Sequence, residues 1–80
     1  MIVRYVFAAG DVLITEERVD LPSAKTEYVL HVIGREPAAH VSLRTALQSA
    51  IYQTSGLTDD QLKQLHRALK RELNRERTAA

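Results

Sequence analysis

The chain has no cysteine, and it has only three glycines and two prolines among 80 residues. Without cysteine no disulfide can staple the fold, which points to a reducing compartment, the cytoplasm by default. The few glycines and prolines leave no room for a linker or a low-complexity segment. Long hydrophobic runs are missing too. None approaches the ~20 apolar residues of a membrane helix. The opening MIVRYVFAAGDVLI has the outline of a signal peptide, but Gly10 and Asp11 cut its apolar run and only Arg4 precedes it. A soluble chain that does not meet the membrane is expected.

What is present fits one small domain spanning 1–80, with 78–80 as a disordered tail. A chain of this length buries only about 60–65% of the surface its unfolded form exposes. Its core is thin, and association is a common remedy in unstapled chains of this size. The formal net charge of +1 conceals a polarity. Residues 1–61 hold five basic and eight acidic side chains, whereas residues 62–80 hold six basic and two acidic. The positive end lies in the last segment.

Gly10, Pro22, Gly34, Pro37 and Gly56 divide the chain into five pieces. IVRYVFA and VLITEERVDL are rich in β-branched and aromatic residues and flank Gly10-Asp11, which fits a two-residue hairpin turn. That turn would pair Phe7 with Ile14, Ala8 with Leu13, Tyr5 with Glu16, Arg4 with Glu17 and Val3 with Arg18. A three-residue turn including Ala9 would shift the pairing by one. Both faces of this hairpin carry apolar side chains. In residues 23–33, length and β-branched content favour a strand. A helix capped by Ser23 and ended by Gly34 remains open, since Tyr28, Val29, Val32 and Ile33 also fall at helical spacing.

VSLRTALQSAIYQT places Leu43, Ala46, Leu47, Ala50 and Ile51 along one helical stripe. In TSGLTDDQLKQLHRALKREL, Thr58 is an N-cap, Gln61 completes a capping box, and Asp59 and Asp60 occupy the favourable first turn. Leu62, Leu65, Leu69 and Leu73 form the expected buried stripe. Gly56 suits the left-handed end of the first helix, and Leu57 is expected to touch both Tyr52 and Leu62. So short a link makes the helices antiparallel neighbours. The predicted fold is α+β: a three-stranded antiparallel β-meander followed by an antiparallel helical hairpin, β-β-β-α-α, with the helices able to cover only one side of the sheet.

Chemistry is sparse. His31, His40 and His66 match no zinc spacing, Asp59-Asp60 serves capping, and Glu16-Glu17 in a strand must point to opposite faces. No cofactor and no catalytic role is expected. A DNA-reading helix-turn-helix is disfavoured by bulky Tyr52 before the turn and by Asp59 and Asp60 where phosphates would lie. The informative feature is basic. Lys63, Arg67, Lys70, Arg71 and Arg75 share one broad arc of the last helix, and Lys63, Arg67, Arg71 and Arg75 are successive like-charge i,i+4 pairs that repel. The arc is either a solvated face or a binding site for an acidic protein or for phosphates. The expected function is a small non-enzymatic protein-interaction module, a self-associating adaptor or regulator that binds another protein. The alternative is an accessory nucleic-acid-binding protein that uses the last helix through backbone contacts.

Overall fold

A computed structural model describes residues 2–19 and 25–79. Four strands form one antiparallel sheet in the order β1-β2-β3-β4: β1 Ile2–Ala9, β2 Val12–Val19, β3 Lys25–Val32 and β4 Ala38–His40. Two helices follow, α1 Leu43–Gln53 and α2 Asp59–Ala79. The chain is therefore α+β with a strand more than the sequence pattern gave. β4 is three residues long, and its Ala-Ala-His lacks the branched alternation that marks a strand. The choice over 23–33 resolves as strand for 25–32. Pro22 and Ser23 lie outside the described residues. The helix α2 runs to Ala79, so of the expected tail over 78–80 only Ala80 lies beyond it, outside the described residues.

The two-residue turn at Gly10-Asp11 is present, with Gly10 at φ +56°. It pairs Phe7 with Ile14 and Ala8 with Leu13. Beyond that point the expected register fails. A β-bulge at Val6 inserts one extra residue, so Tyr5 faces Thr15, Arg4 faces Glu16 and Val3 faces Glu17. The slip exchanges one carboxylate partner of Arg4 for another, with Nη2 3.1 Å from Glu16 Oε2.

Both helices lie on one face of the sheet. Val12, Ile14, Leu30 and Val32 project from the strands onto Ala46, Leu47 and Ala50 of α1 and Leu65 of α2, and all eight are buried. The α1 stripe is the predicted one, and its alanines let the helix approach closely. On α2 the stripe departs from prediction. Leu65 is fully buried, but Leu73 is 39% exposed and Glu72 is half-buried instead. Each i,i+4 step rotates the side chain by about 40°, so Leu73 has precessed off the packed face while Glu72, seven after Leu65, has stayed on it. An ion pair from Arg44 Nε, near the start of α1, to Glu76 Oε2, near the end of α2, ties the antiparallel helices at 3.0 Å.

The helix ends follow their caps. Ser42 Oγ accepts from the Thr45 N–H. Thr58 Oγ1 accepts from the Gln61 N–H while Gln61 Oε1 accepts from the Thr58 N–H, completing the capping box. α1 ends one step earlier than expected, at a Thr54 cap, and the left-handed Gly56 turns the link beyond it. Leu57 packs against the core, but Tyr52 is 91% exposed and supplies no partner for it.

Candidate interaction surfaces

The face of the sheet opposite the helices has no covering element among the described residues. Register assigns its occupants in rows across the strands. Ala8, Leu13 and His31 form one row, Tyr5, Thr15, Val29 and Ala39 the next, and Val3, Glu17 and Glu27 a third. Tyr5 is 75% exposed, Val3 50% and Ile33 75%, and Leu13 and Val29 are half-buried. A shallow groove of ≈ 340 Å³ near the hairpin turn is lined by Ala8, Leu13, His31 and Ile33 among others. The surface is apolar around Thr15, and at one end Glu17 and Glu27 stand beside Lys25, which pairs with Glu27 at 3.2 Å.

One polar group in its middle is 3% exposed, Thr15. Its hydroxyl donates to Glu17 Oε2 at 3.1 Å, which leaves the oxygen to accept from His31 Nε2 at 3.3 Å. His31 therefore carries its hydrogen on Nε2 in this arrangement. The order acid, hydroxyl, imidazole is not the order of an activated nucleophile, in which the imidazole must accept from the hydroxyl. The contacts satisfy a buried polar atom.

On the covered side, polar groups gather where α2 leaves the apolar core. Glu16 Oε2 accepts from Arg4 and from the Tyr28 hydroxyl, each at 3.1 Å. Partial burial, then the hydrogen bond to Glu16 and the charges of Glu16 and Glu72, push the Tyr28 phenol above its ordinary range, with Arg75 opposing. Glu16 and Glu17 thus serve opposite faces, as neighbours in a strand must.

The five basic residues singled out in the sequence are all exposed, but they do not form one uniform row. Arg67 and Arg71 overhang β1: with Gln64, Ala68 and Phe7 they line a groove of ≈ 200 Å³ between α2 and the edge of the sheet. Arg75 lies 3.6 Å from Glu72, so Glu72 relieves some of the repulsion, and it shares a cleft with Tyr28. Lys63 and Lys70 project from the helix with no carboxylate partner among the described residues. What the sequence could not reveal is that this flank borders an edge strand, because neighbourhood of β1 and α2 is a tertiary fact.

The histidines stay apart. His31 lies on the uncovered face, His40 pairs with Tyr28 across β4 and β3, and His66 sits with Ile51, Tyr52 and Leu69 between the helices. Among the described residues no three His, Asp or Glu side chains converge as a metal would require. No described helix is long and apolar enough to cross a membrane. No protein-family model, curated protein or solved structure matches the chain.

Proposed function

We propose that the protein is a small non-enzymatic interaction module of the cytoplasm that self-associates through its uncovered sheet face and binds another protein through α2. The observation that carries this reading is the exposure of Tyr5, Val3 and Ile33 around half-buried Leu13 and Val29, on a face with no layer above it among the described residues. An apolar patch of this kind marks an interface more often than an idle surface. Three strands of eight residues and one of three give a footprint of about 430 Å². Two such faces bury roughly 850 Å², the size of a weak, transient interface, which fits association at micromolar concentrations or above.

A two-fold axis across the strands keeps the Glu17–Glu27 ends of two copies apart, whereas an axis along the strands would set them against each other. Sedimentation equilibrium tests the reading. A dimer is expected at tens of micromolar, and Val29→Lys, on interior strand β3, should dissociate it, raising Kd about tenfold or more, because a cation would be buried inside the interface. A wild-type monomer of 9.0 kDa at ~100 µM, where micromolar dimers are populated, would remove self-association from the proposal.

A further inference from the structure

The flank of α2 turned away from α1 meets β1 at Phe7, and β1 is an edge strand of eight residues, interrupted by the Val6 bulge, with a single neighbour among the described residues. Alternate backbone N–H and C=O groups on such an edge point outward unpaired, a template for a further strand. Above this edge stand Arg67 and Arg71, with Phe7 and Ala68 as the apolar floor of the groove between them. Lys63 precedes Arg67 by one turn and Arg75 follows Arg71 by one turn, but each step turns the side chain by about 40°, so Lys63 stands exposed above the groove and Arg75 reaches toward Tyr28 of β3, leaving Arg67 and Arg71 as the pair over the edge. Arg4 adds an exposed guanidinium on the strand itself, ion-paired to Glu16. Asp59 and Asp60 lie at the opposite pole of α2, in its first turn. The site therefore combines an open hydrogen-bonding edge, an apolar floor and a basic wall.

We propose that the β1 edge receives an extended acidic segment of a partner protein, which adds as a fifth strand beneath the basic flank of α2. The dimensions agree. Cations four apart on a helix recur about every 6 Å along its axis. Same-face side chains of an added strand recur about every 6.6 Å. Carboxylates at every second residue then track the arginines, while the intervening apolar side chains point to the uncovered face. A second copy of this chain is a poor occupant, since an antiparallel β1–β1 pair would set two basic flanks side by side. A nucleic acid would use the cations and leave the strand edge idle. The inference rests on the reading of the chain as a protein-binding module, but not on its self-association.

A fluorescent octapeptide alternating Glu and Val is the probe, titrated into the full chain, with a Lys–Val octapeptide and random-sequence duplex DNA as rivals. Two further Glu–Val peptides carry N-methyl groups on the odd or on the even amides. Strand addition predicts that Glu–Val binds and Lys–Val does not, and that one methylation pattern costs at least about tenfold while the other is tolerated. Outward amides of β1 should exchange more slowly in the complex. Arg67→Glu with Arg71→Glu should weaken binding at least about tenfold, since each exposed contact contributes modestly and reversal adds repulsion. Arg67→Gln with Arg71→Gln gives the same direction should the reversal disturb folding. The proposal is overturned if both methylated peptides bind as well as the unmodified one, if no acidic peptide binds, or if duplex DNA binds more tightly and displaces the peptide. Val29→Lys, a change on the open face of β3 away from β1, keeps the two readings apart: a monomeric variant that still takes the peptide leaves this inference standing, and a dimer that takes none sinks it alone.

Discussion

The two faces of the sheet are built from the same strands and nearly the same residue types, yet they differ in what their apolar side chains do. On one, Val12, Ile14, Leu30 and Val32 are sealed beneath two helices. On the other, Tyr5, Leu13 and Val29 lie open or half open around a threonine that needs two polar neighbours to satisfy it. Two short helices can roof only one face of a sheet. A chain of 80 residues that makes both faces apolar has therefore spent hydrophobic residues beyond what its own core requires. The difference separates stability, which belongs to the covered face, from association, which we assign to the other.

The sharpest test of that separation lies in two adjacent residues of β2. Ile14 is fully buried under the helices and Leu13 points to the uncovered face. Ile14→Ala should cost ~2–5 kcal/mol, enough to unfold much of a marginal domain. Leu13→Ala should cost about 1 kcal/mol or less in the monomer, since a half-exposed side chain returns less apolar area to water, and should weaken the dimer instead. Urea denaturation at concentrations below dimerisation measures both. Equal losses would show that the open face contributes to the core and would dissolve the comparison.

A smaller effect probes how the hairpin is locked to the covering layer. Gly10 has φ +56°, and a Cβ placed there would stand 2.6 Å from Gln61 Oε1. That oxygen is the acceptor of the capping box. Gly10→Ala therefore imposes a left-handed alanine and pushes aside the cap of α2, for a combined cost of about 1.5–4 kcal/mol. Gly34→Ala is the control. Its φ is +84° but nothing lies within 4 Å, so only the backbone cost of about 1–2 kcal/mol applies. Thermal melts showing the two variants alike would mean that Gln61 moves freely and that the turn is not locked to α2.

How much of this contrast was legible in the sequence depends on the range of the cause. The Gly10-Asp11 turn, the capping box of Thr58 and Gln61, and the α1 stripe rest on local rules, and they are present. So is the doubled apolar pattern of the strands, but not its assignment to faces. The bulge at Val6 carries Phe7 to the helix side and Tyr5 to the open side, and nothing in IVRYVFA marks a bulge, since no glycine or turn residue interrupts it. β4 is held by pairing with β3 and by α1 above it, not by the propensity of Ala-Ala-His. Leu73 misled because a run of leucines at i,i+4 looks like a stripe while it rotates off the packed face. The basic arc was legible as an arc; that it overhangs a strand edge was not.

The smallest effect tests the polar end of the covered face, where the Tyr28 hydroxyl donates to Glu16. The pKa of Tyr28 is raised above the ordinary 10.0 by partial burial first, then by the bond to Glu16 and the charges of Glu16 and Glu72. The sign of the linkage follows. As pH rises past 10, the tyrosine of the unfolded chain releases its proton while that of the folded chain still holds it. The folded state then binds more protons, so stability falls with rising pH. The contribution is fully present below pH 10 and is lost as pH climbs through the raised value. Tyr28→Phe removes the donor, yet Arg4 still holds the Glu16 carboxylate, so no buried charge is left without a partner. The cost near pH 8 should be about 1 kcal/mol. Between pH 9 and 11 the wild type should lose stability faster than the variant, and the gap between their urea midpoints should close. Every other ionisable group is common to the two proteins and cancels in the difference. A gap that stays constant to pH 11 would mean that Tyr28 ionises as readily in the folded chain as in the unfolded one, and that Glu16 is held by Arg4 alone.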